Sequence, residues 1–140
     1  MTLPAPASST DSSGLTMSYE LTEADRIWNR ACLGDADNLR IGDRALAAML
    51  YIHGYVMNGG VEHVVECASV TQLAAGIEGY RYFGLDNLAS LITKAQGTDE
   101  ILGETIDAEY FRLGCDSILE RHFKKVYADH PADFEPLDSH

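Results

Sequence analysis

The chain has 140 residues, of which 46% are hydrophobic, so it is long enough for one domain with a real core. Its formal net charge of −12 disfavours direct binding to nucleic-acid phosphates or to an anionic membrane. Three scattered cysteines without a C-x-x-C pair predict free thiols in a reducing compartment, and therefore a cytoplasmic protein.

The first segment, residues 1–18, is rich in Ser, Thr, Pro and Ala. It lacks the basic and apolar regions of a signal peptide, so we predict a disordered leader. A first helix follows, because Thr22 with Asp25 three residues later has the form of a capping box and apolar residues follow at helical spacing. Gly34 ends this helix. The Asp-rich segment after it resembles half a calcium loop but lacks the distal Glu, and is interpreted as a plain turn.

The longest apolar run lies in residues 43–68 and is apolar nearly all round, which is typical of a helix buried at the centre of a bundle. Asp43 is expected to cap its start. Asn58, Gly59 and Gly60 tolerate positive φ, so we predict a tight turn there, followed by a second helix that begins near Val61. The alternative is a β-hairpin around Asn-Gly, but strict alternation is missing on both sides.

Helical spacing resumes after Ser69 in two stripes separated by Gly84. Gly76 and Gly79 lie inside the first stripe. No strand precedes them, so they are predicted to allow close helix packing and not to form a phosphate loop.

A short helix is predicted from Thr98, with a further turn capped by Asp107. Asp116 is expected to cap a last long helix, which Pro131 stops. Phe134 is expected to dock back, and residues 135–140 are predicted to be a loose acidic tail. The pattern predicts an all-α domain over residues 19–134: a single compact bundle of about six or seven short helices around a buried central helix.

Enzyme signatures are absent: there is no G-x-S-x-G, P-loop, H-E-x-x-H or dinucleotide fingerprint. Glu62, His63 and Glu66 are the nearest metal candidate, but the valines take the inward face, so we interpret them as a solvated surface. His53 is expected to be a core histidine bonded to a carbonyl or a tyrosine. A pair of His53 with Cys67 would be the centre of an alternative metal- or thiol-dependent enzyme. We therefore predict no catalytic residue, no metal and no cofactor.

The last 42 residues, 99–140, hold 11 of the 22 acidic residues and only 4 of the 10 basic ones. In a helix over residues 98–107, Glu100, Glu104 and Asp107 would share one face at i, i+4 and i+7. Such a row carries fixed negative charge, although an ordinary solvated face has the same composition.

Several segments together carry a resemblance to a known family: the apolar helix that ends in Asn58-Gly59-Gly60, the helices from Ala74 to Leu91, residues 106–111, and the ending at Phe134. Over residues 45–134 the chain resembles the bacterial DNA-mimic-protein C-terminal domain family. Val61 and Val64-Val65 stand where that family usually has aromatic residues. The resemblance implies an all-helical, dimeric protein without cofactor whose surface acids occupy a DNA-binding protein, such as a helix-turn-helix transcription regulator.

The combined hypothesis is a non-enzymatic interaction protein that binds a basic partner, with no direct nucleic-acid or membrane binding. Fixed carboxylates would replace phosphates against the Arg and Lys residues of that partner. The alternative is an immunity or antitoxin-type protein that neutralises a basic nuclease. The predicted contact residues are acids of the C-terminal part: Glu100, Glu104, Asp107, Glu109, Asp116 and Glu120.

Overall fold

Six α-helices and a 3₁₀ turn follow one another in the computed structural model, which describes residues 21–34, 38–96 and 100–137. The side chains of Glu100 and Ile101, the predicted leader, the cap at Thr98 and residues 138–140 lie outside the described part. The described ranges contain no strand, so the all-α prediction is confirmed and the hairpin is excluded. The elements are α1 (Glu23–Cys32), α2 (Ile41–Cys67), α3 (Val70–Tyr82), α4 (Asp86–Ala95), α5 (Glu100–Leu113), α6 (Asp116–Asp129) and the 3₁₀ turn Pro131–Asp133.

The start of α1 confirms the predicted capping box. The Asp25 amide donates to Thr22 Oγ1 at 3.1 Å, and the Thr22 amide donates to Asp25 Oδ2 at 3.0 Å. Gly34 follows the helix with a positive φ of 78°, as expected for a glycine that ends it. Both ends of α1 are therefore encoded by residues within or next to the helix.

The central position of α2 is also confirmed, since it packs against α1, α3, α4 and α5. Leu46, Met49, Ile52 and Val56 are fully buried along it. Its apolar surface is not enclosed on every side, however, because Tyr51 is 40% exposed and projects to solvent. Its 27 residues consist of two helical parts that meet at a kink.

The predicted interruption at Asn58-Gly59-Gly60 is confirmed, but it is narrower than the predicted turn, because it involves one residue. Gly60 alone has non-helical torsions, φ 84° and ψ 179°, whereas Asn58 and Gly59 remain helical. We call residues 41–59 the N-terminal arm of α2 and residues 61–67 its C-terminal arm. Only glycine adopts the torsions of Gly60 readily, which explains this one residue of the motif.

Close packing explains the glycines of α3, as predicted. A Cβ on Gly79 would lie 2.5 Å from the carbonyl oxygen of Ala45, and one on Gly76 would overlap the Ile52 side chain. The absence of side chains at these two positions lets α3 approach the N-terminal arm of α2.

Two predicted helix starts in the C-terminal half need correction. α5 runs without a break through Asp107, so Asp107 does not begin a new turn. In α6 the N-cap is Cys115, and Asp116 is the first helical residue. α6 ends at Asp129, ahead of Pro131, in agreement with the expected stop.

The end of the chain folds back on the start of α2. Phe134 is only 1% exposed, so its predicted docking is confirmed. A Cβ on Gly42 would lie 2.6 Å from Phe134 Cζ, which shows how closely the two segments pack. The amide of Glu135 donates to Asp43 Oδ2 at 2.7 Å, so the predicted loose tail has a fixed first residue.

Asp43 is the buried carboxylate that holds these segments together, with 2% of its surface exposed. It was expected to be the N-cap of the central helix. Instead the helix begins at Ile41, and Asp43 accepts the amide of Arg40 from within the first turn at 3.1 Å. Its other oxygen accepts Arg30 Nη2 at 2.6 Å, in an ion pair between α1 and α2.

Candidate partner-binding surface

Asp107 joins α5 to the interruption of α2. The Val61 amide, the first after Gly60, donates to Asp107 Oδ1 at 2.7 Å, so this carboxylate caps the C-terminal arm from another helix. A Cβ on Gly60 would lie 2.7 Å from Asp107 Oδ2. Both properties of Gly60, its positive φ and its lack of a side chain, therefore allow Asp107 to approach the backbone at Val61.

Acidic side chains gather where the C-terminal arm runs beside α5. Glu62 and Glu66 are exposed and one helical turn apart, and Glu104 is exposed on α5. Glu62 Cγ lies 3.9 Å from the place of a Cβ on Gly103, so Glu62 packs against α5 at the residue before Glu104. We call Glu62, Glu66 and Glu104 the acidic surface.

Basic residues are missing from the two chain segments that form the acidic surface. Neither residues 45–80 nor residues 95–111 contain a Lys or an Arg. Within the described part of the chain, none of the ion pairs involves Glu62, Glu66 or Glu104. All three carboxylates are exposed, and none of them has a Lys or Arg partner within the described ranges.

The other predicted contact acids have partners inside the chain. Glu109 pairs with Arg112 at 2.6 Å, and the hydrogen bond from this guanidinium lowers the pKa of Glu109. Glu120 pairs with Lys124 at 3.5 Å. Asp116 is bonded to His53, and Asp107 caps Val61 as described above. The side chain of Glu100 lies outside the described residues.

Glu62 and Glu66 were not among the predicted contact residues. We interpreted them as a solvated surface, because the valines of the same segment take the inward face. The stretch without basic residues from position 45 to position 80 was the sequence signal that could have identified them.

His53 lies in a buried chain of hydrogen bonds that connects four helices. His53 Nδ1 is 2.7 Å from the Tyr110 hydroxyl, which is bonded to the Tyr80 hydroxyl, and His53 Nε2 is 2.6 Å from Asp116 Oδ1. The predicted core histidine bonded to a tyrosine is therefore confirmed.

One arrangement of protons satisfies every donor of this chain. Tyr80 donates to Tyr110, Tyr110 donates to Nδ1 of a neutral His53, and Nε2–H donates to Asp116. Burial raises the pKa of both tyrosines, so both keep their protons. Both ring nitrogens of His53 are therefore used in hydrogen bonds within the fold.

Cys67 does not pair with His53. Its Sγ instead lies 3.6 Å from Nδ1 of His63, on the exposed side of α2, so the centre of the alternative enzyme is not assembled. Among the described residues, no group of three or more His, Cys, Asp or Glu side chains could hold a metal ion.

Comparison with known families places this surface in context. The family model for DMP19-like protein matches residues 37–140. The chain belongs to this family. The match confirms the predicted resemblance and points to a protein of the DNA-mimic type. Searches of curated proteins and of solved structures found no match. No helix within the described ranges has the length and apolar character needed to cross a membrane.

Proposed function

We propose that this protein is a non-enzymatic DNA mimic whose acidic surface occupies the DNA-binding surface of a basic partner, such as a helix-turn-helix transcription regulator. One observation carries the proposal: the carboxylates of Glu62, Glu66 and Glu104 have no basic partner among the described residues, whereas most other acids of the predicted set do. Family membership supports the DNA-mimic type, and the surface supports the place of contact.

Two packed helices suit such a role physically. Carboxylates at i and i+4 are about 6 Å apart along a helix axis, and a second helix beside the first adds a parallel set. They replace phosphates against Arg and Lys, and their field accelerates association in a salt-dependent way. Asp107 of α5 accepts the Val61 amide, and this hydrogen bond holds together the two helices that carry the acidic surface.

The remaining predicted acids are expected to contribute unequally to partner binding. Glu100 lies one turn before Glu104, so its position extends the acidic surface along α5. Glu109, Asp116 and Glu120 would have to share their carboxylates with internal partners, so we expect weaker contributions from them. A cytoplasmic location is part of the proposal and is supported by three free, exposed cysteines. A dimeric assembly stays a prediction.

Affinity capture with a matched charge control tests the proposal. The full chain is immobilised and exposed to an extract of its host cell, and bound protein is eluted with duplex DNA. The site variant is E62Q/E66Q/E104Q. The control variant is E78Q/D129N/E135Q, which removes the same number of charges from acids that pair with Arg81, Lys125 and Arg40.

We expect the wild type and the control to retain the same protein, DNA to displace it, and the site variant to retain at least tenfold less. Equal retention by the two variants, or a captured protein that duplex DNA does not displace, contradicts the proposal. Retention that does not fall between low and high salt also contradicts it. A captured nuclease would favour the immunity-type alternative over a transcription regulator.

A further inference from the structure

The exposed side of α2 carries a row of side chains that the proposed function does not use. Tyr51, Tyr55, His63 and Cys67 follow one another along the helix across the kink. The rings of Tyr55 and His63 meet edge to face with centroids 5.2 Å apart, and Cys67 is exposed beyond His63. A thiol and an imidazole thus lie side by side on an accessible helix surface.

The distance between these two groups matches that of two ligands on one metal ion. Zn²⁺ binds thiolate sulfur at about 2.3 Å and imidazole nitrogen at about 2.0–2.1 Å, so a tetrahedral angle places the two ligand atoms about 3.6 Å apart. Cys67 Sγ and His63 Nδ1 are 3.6 Å apart. The other ring nitrogen, Nε2, is more distant from the sulfur, at 4.0 Å.

The position of His63 is set by the interrupted helix. A Cβ on Gly59 would lie only 2.8 Å from Cβ and Cγ of His63, so the missing side chain at Gly59 provides the space for this ring. Tyr55 borders the ring on another side. Gly60 therefore adopts the non-helical torsions of the kink. Gly59 leaves space for the imidazole of His63.

We propose that His63 Nδ1 and Cys67 Sγ chelate a thiophilic divalent transition-metal ion, with Zn²⁺ as the type, on the surface of α2. The thiol releases its proton to solvent on binding, and water completes the coordination, because the described residues provide no third ligand. Softness of the sulfur ligand selects against Mg²⁺ and Ca²⁺, which prefer oxygen.

Titration of the full, reduced chain with Co²⁺ tests the site, because a thiolate ligand produces a charge-transfer absorption band. We expect the band to saturate at one ion per chain, Zn²⁺ to abolish it and Mg²⁺ to leave it unchanged. C67S should lose the band. H63Q should need at least about tenfold more Co²⁺ for half-saturation, since loss of even a ligand's hydrogen-bond partner costs about that much.

Three control variants, C32S, C115S and G54A, and one further site variant, G59A, test whether the band comes from this pair of side chains. C32S and C115S should keep the band, although both remove an exposed thiol. G59A should raise the half-saturating Co²⁺ concentration several-fold through His63, while G54A should not, because nothing lies within 4 Å of a Cβ at Gly54. Helical circular dichroism of each variant establishes that it is folded.

The proposal is overturned if the wild type shows no band, if the band persists in C67S, or if H63Q titrates like the wild type. Saturation at half an ion per chain would also overturn it, because the ion would then be shared between two copies.

Discussion

Asp43 and Asp107 each cap one arm of α2, but they do so from different distances along the chain. Asp43 accepts the amide of Arg40, three residues before it. Asp107 accepts the amide of Val61, 46 residues before it. The first cap belongs to the turn that it stabilises, whereas the second exists only when α5 packs beside the C-terminal arm.

The two caps also differ in what else depends on them. Asp43 is buried and additionally binds Arg30 and the amide of Glu135, so α1, α2 and the end of the chain meet at one carboxylate. Asp107 is half-buried and holds the helix that carries Glu62 and Glu66. The comparison indicates that Asp43 contributes mainly to global stability and Asp107 to the geometry of the acidic surface.

The largest expected effect is that of Asp43→Asn. It should lower the free energy of unfolding by about 3 kcal/mol, because removal of one partner leaves the mostly buried Arg30 guanidinium uncompensated. Urea denaturation measures the change. The control is D129N, which removes an exposed pair with Lys125 and should cost less than about 0.5 kcal/mol. Equal effects of the two variants would contradict the central role of Asp43.

Gly60→Ala should have the second largest effect. It should lower the free energy of unfolding by about 2 kcal/mol, because the new side chain is strained at positive φ and collides with Asp107. G54A is the control: Gly54 is helical and open, so alanine there should leave stability unchanged or raise it. Thermal unfolding of both variants makes the comparison. A stable G60A protein would show that the interruption of α2 does not need glycine.

Asp107→Ala should lower the free energy of unfolding by about 1–2 kcal/mol, which is the usual effect of removing a helix cap. The sharper measurement is hydrogen exchange of the Val61 amide, which should become faster because its acceptor is gone. E104Q, on the same helix, should change neither stability nor this exchange rate. If D107A leaves the Val61 amide protected, another group caps the C-terminal arm.

The smallest expected effect is the pH dependence of the exposed cap Asp25. Hydrogen bonds from the backbone and side chain of Thr22 lower its pKa below the usual 3.8. A carboxylate whose pKa is lowered by folding contributes stability above its unfolded pKa, and this contribution is lost as pH falls through the folded value. The difference in melting temperature between wild type and D25N should therefore be present at pH 7 and shrink below about pH 4. A difference that grows on acidification would contradict the assignment.

The helix starts and packing glycines could be predicted where the decisive partner is near in sequence. Thr22 with Asp25 identified α1, because a capping box closes within one turn. Gly76 and Gly79 were predicted to allow close packing for steric reasons alone, and they do. The interruption at Asn58-Gly59-Gly60 was also predicted, but not that Gly60 alone forms it, because all three residues tolerate positive φ.

The candidate surface could be predicted less well, because pairing of charges is a long-range property. Glu104 has no ion pair among the described residues, whereas Asp116 is exposed as expected but is also bonded to His53, 63 residues away. The packing of Glu62 against Gly103 of α5 is likewise a contact between residues far apart in the chain.

Residues alone were sufficient for the helical class, the acidic character, the family and the capping box of α1, because these depend on composition and on contacts three or four residues apart. Tertiary packing was needed to show which carboxylates stay free and which are used inside the fold. It also placed Asp107 of α5 against Gly60 and the Val61 amide. Those outcomes depend on the approach of helices far apart in the chain, and local patterns do not encode them.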